Sequence, residues 1–357
     1  MAGRIGRVTD SVESTPAGWI AEVTARLWPG SLAVTSPLRG DASARRFWRV
    51  NLDGSRQAPV SAIAINLGPD DLPLYVRALK LLPEPISEPP WLNVHRFLCR
   101  IGVAVPEIYA ADVLARMLLV EDVGSLSLFE AALTGNAGDL YRLAVDELLL
   151  FHLIGTHNLD GNCISGRIVY DRLLFRWELE QFLEAGLAEI APGANRQTIG
   201  GEFDDLCSRL DRFPRVFSHR DYYGNNLFVQ IGQNGNPRIR VIDFQDALMA
   251  PAGQDLAVLL TTRDAARVIT PKLERRLLDY YYAALVRRAA TPGQFEQFHE
   301  SYRLCVLQHA LKVIGRFIVL EHQGKAGYRQ YIPYALEQAK RMLRPGEFPL
   351  LQRALGK

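Results

Sequence analysis

Cysteine is scarce in this chain, with four residues among 357: Cys99, Cys163, Cys207 and Cys305. No two of them form a CxxC pair, and the four show no metal-ligand spacing. The sequence therefore gives no indication of a zinc site or a disulfide framework. This pattern is typical of a reducing compartment.

Long apolar runs are missing as well. No stretch reaches the roughly eighteen consecutive apolar residues that a membrane-spanning helix requires. The first fifteen residues, MAGRIGRVTDSVEST, lack the continuous apolar core of a signal peptide. We therefore expect a cytoplasmic protein without a membrane partner.

The chain also lacks an excess of either charge. It has 41 Lys and Arg against 39 Asp and Glu, a formal net charge of +2. Nucleic acid is a poor candidate for the main partner, because no general basic field is present. At 357 residues the chain exceeds the usual size of one domain, which predicts two lobes. We expect a monomer that acts on a small molecule.

The predicted elements change in character along the chain. Up to residue 123 the sequence predicts short strands, including a hairpin around the loop RGDASAR, and few helices. Beyond this, strands are predicted only at NLFVQI and RIRVIDF, joined by the turn GQNGNP. Long helices are predicted at 137–157, 170–190, 271–289, 294–323 and 328–343. The expected fold class is α+β, with a small β-rich N-lobe (1–123) and a larger, mainly helical C-lobe (124–357).

One segment places polar groups beside strand-like sequence. VFSHRDYYGNNLFV contains His219, Asp221 and Asn226, and VIDFQDA contains Asp243. Carboxylates in such surroundings are costly unless a cation or a proton-transfer partner compensates them. Phosphoryl transfer from ATP uses such a set: one Asp as base, with an Asn and a second Asp binding Mg²⁺. We assign these roles to Asp221, Asn226 and Asp243, and expect His219 to hold the loop through hydrogen bonds.

The alternative is that Asp221, Asn225 and Asn226 only form a turn before a strand. Three fixed residues at this spacing arise by chance in roughly 1–2% of chains of this length. Asp243 lies in a strand of the right type at the right distance, which lowers that chance further. The pattern therefore favours the catalytic interpretation.

The H-x-D-x4-N and D-F-x-D motifs resemble those of the aminoglycoside phosphotransferase and choline kinase family, relatives of the protein kinases. GDASARRFWRV (40–50), YDRLLFRWELEQF (170–182) and DFQDALMAPAGQDLAVLL (243–260) are most similar to one bacterial branch. Members of that branch phosphorylate the anomeric hydroxyl of N-acetylmuramate and N-acetylglucosamine in cell-wall recycling. The resemblance implies a protein-kinase-like fold and an ATP-dependent, magnesium-dependent sugar kinase.

The resemblance also implies a nucleotide site. Small residues in the loop 40–46 let backbone N–H groups approach phosphate, with Ser43, Ala44 and Arg45 as the expected contacts. A plain hairpin turn is the alternative. LLVEDVG would form the hinge between the lobes, where the backbone of Glu121 and Val123 would bind adenine; a strand followed by a linker is the alternative there.

The third strand departs from the wider kinase pattern. It reads AIAIN, with Ile65 or Asn66 where kinases of this fold place a lysine. The branch that the chain resembles also has an apolar residue at this position, so the difference does not imply inactivity. Arg45, Arg46 or backbone donors are the candidate replacements.

Acceptor residues are expected in the C-lobe. Glu178 and Asp171, in the stretch 170–182, are candidates to accept hydrogen bonds from sugar hydroxyls, and Tyr223 and Asn225 to line the same pocket. Asp171 is equally suited to cap the helix that follows it, and Glu178 to face solvent. Structural roles are expected for two other acids, Asp246 and Asp255. Asp255 would accept backbone hydrogen bonds from the catalytic loop.

Two other functions remain open at this point. An aminoglycoside or another small alcohol would require the same chemistry with a different acceptor. The basic-leaning segments KLERRLLDYYYAALVRR and EQAKRMLR argue against a polycationic drug. A pseudokinase that only binds nucleotide is suggested by the missing lysine, but such a protein has no need for a base and two metal ligands.

Overall fold

The computed structural model describes residues 16–38, 45–68, 73–82, 88–232, 235–289 and 295–356. The chain divides into two compact units, Met1–Asp71 with Pro106–Val123, and Leu72–Val105 with Gly124–Lys357. The smaller unit is built on a β-sheet and the larger one is mainly helical, which confirms the predicted α+β class.

Residues 72–105 belong to the larger unit, whereas the sequence analysis placed them in the N-lobe. Hydrogen bonds explain this grouping. Val241 N donates to Ala104 O at 3.0 Å, and Arg240 Nη2 donates to Val105 O at 2.9 Å. The ring of Phe97 also packs 4.8 Å from that of Phe217. The segment therefore shares the core of the larger unit.

Among its described residues, the smaller unit has one helix and a five-stranded sheet. Every neighbouring pair is antiparallel, and the order is β1-β2-β3-β5-β4. One sheet face and the helix enclose a core of apolar residues that includes Trp19, Ile20, Val50 and Leu119. The elements are α1 (Pro16–Leu27), β1 (Leu32–Leu38), β2 (Arg46–Asp53), β3 (Ser61–Asn66), β4 (Ile108–Asp112) and β5 (Met117–Glu121).

Helices make up most of the larger unit. Two of the long predicted helices contain a π-helical segment each: Leu150–Gly155 follows α5, and Phe182–Gly186 follows α7. The helices are α2 (Leu74–Ala78), α3 (Pro90–Arg100), α4 (Leu128–Thr134), α5 (Ala137–Leu149), α6 (Thr156–Asn158), α7 (Arg172–Gln181), α8 (Leu187–Ile190), α9 (Arg196–Asp211), α10 (Gly253–Thr261), α11 (Pro271–Ala289), α12 (Phe295–His322), α13 (Ile332–Met342) and α14 (Pro349–Leu355).

Four short strands also lie in the larger unit: β6 (Arg215–Ser218), β7 (Leu227–Ile231), β8 (Pro237–Val241) and β9 (Leu248–Pro251). β7 and β8 form the predicted hairpin. The expectation that this hairpin holds the only strands of the C-lobe was wrong, because β6 pairs with β9. With four residues each, these strands are too short to show alternation, and their pairing depends on contacts distant in sequence.

Helix α12 forms the centre of the larger unit, and every residue from 301 to 311 in it is buried. It passes very close to the π-helical segment after α7. A Cβ atom placed on Gly315 would lie 2.3 Å from Phe182 N, so only glycine permits this approach. The close crossing brings the side chains of α12 beside those of α7.

Candidate active site

The loop between β6 and β7 carries Asp221. The side chain of Asp221 is 36% exposed, whereas Asn226 at the other end of the loop is buried. Asn226 Nδ2 donates a hydrogen bond to Asp221 O at 2.9 Å, and Tyr223 N donates to the same oxygen at 3.1 Å. The loop thus fixes the backbone of Asp221 while its carboxylate remains accessible.

The β7–β8 hairpin brings Asp243 to the same end of the strands as Asn226. Leu227 pairs with Val241, and Ile242 N donates to Asn226 O at 3.0 Å, so Asp243 follows directly. Asp243 adopts φ 60°, and its Oδ1 accepts a hydrogen bond from Gln245 Nε2 at 3.0 Å.

These two side chains fit a magnesium ion in their donor chemistry. The amide nitrogen of Asn226 donates within the loop, so the oxygen Oδ1 is the atom of this side chain that could bind a cation. Oxygen donors of this kind suit Mg²⁺, which usually takes few protein ligands. Across the described residues, no group of three or more His, Cys, Asp or Glu side chains is placed to hold a metal.

His219 connects the β6–β7 loop to the segment before Asp243. Its ring is fully buried, and Nε2 lies 2.9 Å from Ile242 O. Because a carbonyl oxygen only accepts, Nε2 carries the proton and donates. Its backbone N–H donates to Asp255 Oδ2 at 3.0 Å.

Asp255, at the start of α10, accepts from two backbone groups of the loop. Besides the bond from His219, Arg220 N donates to its Oδ1 at 2.8 Å. His152 Nε2 lies 3.0 Å from Asp255 Oδ2, and His152 Nδ1 lies 2.7 Å from the hydroxyl of Tyr281. Burial opposes ionisation, but the His152 hydrogen bond and nearby imidazoles hold the pKa of Asp255 below its usual value. The sequence analysis did not assign this role to His152, which lies far away along the chain.

Glu178 is surrounded by donors. Its Oε1 lies 2.9 Å from Arg220 Nη2 and 2.9 Å from Lys312 Nζ. Its Oε2 accepts from the Tyr170 hydroxyl and from Gln308 Nε2 at 3.3 Å. Despite burial, Lys312 and Arg220 lower the pKa of Glu178 to about 2. A carboxylate offers about four acceptor sites, so the predicted contact with a sugar hydroxyl would require one of these donors to leave.

The other predicted acceptor residues have partners of their own. Asp171 Oδ1 accepts from Leu174 N at 3.0 Å and caps α7, which is the alternative noted from the sequence. Asn225 Nδ2 donates to Asp264 Oδ2 at 2.6 Å. Tyr223 is partly exposed in the same loop as Asp221.

Asp246 approaches the same nitrogen of Arg220 as Asp221 does. Its carboxylate Oδ2 is 3.9 Å from Arg220 Nη1, and its carbonyl oxygen is 3.5 Å from the hydroxyl of Tyr75. The ring of Tyr75 in turn lies 4.2 Å from the guanidinium of Arg220. Neither Arg220 nor Tyr75 was identified from the sequence, because Arg220 fills the unspecified position of H-x-D-x4-N and Tyr75 lies in no motif.

The predicted nucleotide contacts lie in the smaller unit. Ser43 and Ala44 fall outside the described residues. Arg45 is half-buried directly before β2, and Val123 is buried after β5. Glu121 ends β5, where its N–H donates to Glu107 O at 2.8 Å.

Asp122, directly after Glu121, forms an ion pair that the sequence analysis did not predict. The buried carboxylate of Asp122 accepts from Arg49 Nε at 2.7 Å and from the Ser61 hydroxyl at 2.8 Å. In β3, Asn66 is engaged locally, with its Oδ1 accepting from Gly68 N at 3.2 Å. The smaller unit thus fixes its last residues through β2 and β3.

Comparison with known proteins defines the class. The model of the phosphotransferase enzyme family matches residues 34–298, and the chain belongs to this family. A relative from Pseudomonas aeruginosa, named N-acetylmuramate/N-acetylglucosamine kinase, is 31% identical over 252 residues, covering 68% of this chain and 70% of its own. A relative of the same name from Neisseria meningitidis is 28% identical over 314 residues, covering 85% and 84%.

Solved structures support the fold. The choline kinase from Cryptosporidium parvum Iowa II superposes with a TM-score of 0.59 at 15% identity, covering 96% of this chain and all of that one (100%). The protein-kinase-like fold implied by the resemblance is therefore confirmed. Within the described part of the chain, no helix has the length and apolar character needed to span a bilayer.

Proposed function

We propose that this protein is an ATP-dependent kinase that phosphorylates the anomeric hydroxyl of N-acetylmuramate or N-acetylglucosamine. The observation that carries the proposal is one loop that presents the accessible carboxylate of Asp221 and ends at Asn226, beside Asp243. The family match and the names of the relatives support a sugar acceptor.

Asp221 is proposed to accept or orient the proton of the attacking hydroxyl. Its backbone is fixed by Asn226 and Tyr223, so the carboxylate requires little reorganisation to meet the acceptor. Asn226 and Asp243 would hold Mg²⁺, which neutralises charge on the phosphates during transfer. His219 and Asp255 keep the loop in this conformation through the bonds described above.

The remaining assignments are also proposals. Ser43, Ala44 and Arg45 would cover the phosphates of ATP, and the backbone of Glu121 and Val123 would bind adenine. Tyr223 and Asn225 would line the acceptor pocket, since they belong to the same loop as Asp221. Asp171 would contact the acceptor only while it also caps α7.

A sugar fits better than a polycationic aminoglycoside. The segments KLERRLLDYYYAALVRR and EQAKRMLR lean basic. A polycationic drug would be expected to meet a pocket rich in carboxylates.

The test is to identify the product by phosphorus NMR. Purified protein is incubated with ATP, Mg²⁺ and either N-acetylglucosamine or N-acetylmuramate. A phosphate coupled to the anomeric proton of the sugar is the expected result. A 6-phosphate, or turnover of an aminoglycoside with no product from either sugar, would overturn the proposal.

A further inference from the structure

Arg220 has an unusual backbone conformation for a residue of its size. It adopts φ 75°, in the left-handed region that favours glycine. The conformation is held by Arg220 N, which donates to Ser218 Oγ at 3.1 Å and to Asp255 Oδ1 at 2.8 Å. Glycine would meet this backbone requirement without strain, so the backbone does not account for an arginine here. The contacts of the side chain must therefore account for the arginine.

The side chain reaches a set of charged and aromatic partners. Nη2 lies 2.9 Å from Glu178 Oε1, whereas Nη1 lies 3.8 Å from Asp221 Oδ2 and 3.9 Å from Asp246 Oδ2. The guanidinium also lies over the ring of Tyr75, 4.2 Å from its centroid. The short contact is with Glu178, and the two longer ones join Nη1 to the carboxylates of Asp221 and Asp246.

Glu178 is also held by a second cation, Lys312. Lys312 Nζ shares Glu178 Oε1 with Arg220, at 2.9 Å, and projects from α12. The close crossing of α12 at Gly315 determines where Lys312 lies relative to α7. The chain of contacts therefore runs from α12 through Lys312 and Glu178 to Arg220.

We propose that Arg220 is a positioning residue for phosphoryl transfer, and that Glu178 and Lys312 set the position of its guanidinium. The inference rests on the function proposed above. Nη1 of the guanidinium lies close to the carboxylates of both Asp221 and Asp246, so it orients the first and reduces the repulsion between them. Its distance of 3.8 Å from Asp221 is longer than a hydrogen bond, so the carboxylate keeps its acceptor sites for the incoming hydroxyl. On this view Glu178 contributes to transfer by positioning Arg220, and it does not contact the sugar.

The first test compares Arg220→Gly with Arg220→Lys in the full chain. Glycine suits the backbone and removes the guanidinium, while lysine retains a charge. With ATP, Mg²⁺ and N-acetylglucosamine or N-acetylmuramate, we expect Arg220→Gly to lower kcat by about tenfold or more, with KM for ATP changed less than about threefold. The kcat of Arg220→Lys should lie between that of Arg220→Gly and that of the wild type, because lysine restores only the charge.

A matched control separates positioning from folding. Arg303 is another buried arginine of the larger unit, 11% exposed beside 12% for Arg220, and is clamped by Glu300 and Glu347. Arg303→Lys should lower the melting temperature and leave kcat of the folded enzyme unchanged. An equal loss of kcat in Arg303→Lys and Arg220→Lys would overturn the inference, since both would then reflect stability alone.

The deciding experiment is a double-mutant cycle with Asp221→Asn. If Arg220 acts through Asp221, Arg220→Gly should cause little further loss of kcat in the Asp221→Asn background. Lys312→Met should likewise lower kcat in the wild type but not in Arg220→Gly. Additive losses, or an unchanged kcat in Arg220→Gly while Asp221→Asn is inactive, would overturn the inference and leave the proposed function standing. Full turnover in Asp221→Asn would instead refute the proposed chemistry together with the positioning role that depends on it.

Discussion

His219 donates a hydrogen bond from its Nε2 to the carbonyl oxygen of Ile242, 2.9 Å away. Ile242 directly precedes Asp243, so one buried ring joins the loop that bears Asp221 to the segment that bears the second proposed magnesium ligand. The proposed base and the proposed metal site therefore belong to one hydrogen-bonded assembly.

Asp221→Asn tests the proposed base. The amide keeps the shape of the side chain but accepts a proton far less readily, so turnover should fall on the order of a hundredfold or more. ATP binding, measured by calorimetry, should persist because Asp221 does not hold the nucleotide. Near-normal turnover would remove Asp221 from the mechanism.

Asp243→Ala tests the proposed metal site. Removing the carboxylate should abolish the magnesium dependence of nucleotide binding, since Asn226 alone offers only one neutral oxygen. Titration of ATP with and without Mg²⁺ provides the measurement. Gln245→Ala is the matched control, because Gln245 contacts Asp243 Oδ1 without being a proposed ligand. If Asp243→Ala retains the magnesium response of the wild type, its assigned role is wrong.

Gly315→Ala should destabilise the larger unit. The added Cβ would lie 2.3 Å from Phe182 N and 2.6 Å from Gln181 C, which are backbone atoms that cannot move aside locally. We expect the free energy of unfolding to fall by about 2 kcal/mol or more, as for other overpacked cores. Urea denaturation measures it.

The control for this substitution is Gly201→Ala in α9, where no heavy atom lies within 4 Å of the added Cβ. Alanine should stabilise that helix by up to about 1 kcal/mol. An equal effect of the two substitutions would show that α12 does not pack as described.

The buried His309 should make the folding stability of the protein depend on pH. Burial, with the nearby Lys312 cation, lowers the pKa of His309 to about 3, from an ordinary value of 6.5. Between these values the unfolded chain binds a proton that the folded chain does not. Folding stability is therefore lost as pH falls from about 6.5 towards 3, by at most about 1.4 kcal/mol per pH unit from this residue.

His309→Gln should flatten the fall in unfolding free energy between pH 6.5 and 4.5, as measured by urea denaturation at several pH values. The exposed His157, substituted in the same way, serves as the control. Parallel pH curves for the wild type and His309→Gln would contradict the prediction.

The sequence predicts those parts of the site that have a local pattern. The spacing of His219, Asp221 and Asn226 is visible within eight residues, and apolar runs on both sides of a turn reveal the β7–β8 hairpin. Asp171 is recognisable as a helix cap for the same reason. Each of these features depends on neighbours along the chain.

The contacts that Arg220 and Glu178 make with each other and with α12 could not be predicted in this way. Glu178 lies 42 positions from Arg220, and Gln308 lies 130 positions from Glu178. A glutamate on an amphipathic helix looks the same in sequence whether it faces solvent, a ligand or two buried cations. Only the crossing of α7 and α12 decides among these, and that crossing is set by packing at Gly315. The β6–β9 pair escaped prediction through the same dependence on distant contacts.

The π-helical segment Phe182–Gly186 lies directly opposite Gly315. A π-helical turn holds one residue more than an α-helical turn, so this segment marks a point where the helix accommodates an extra residue. Winding the same residues as a regular α-helix would rotate every later side chain by about 100° about the axis. Leu187, now buried, would turn away from the core, while Glu178, one turn upstream, would keep its direction. The π-helical segment thus sets the direction of the side chains after residue 186 without changing the face of α7 that carries Glu178.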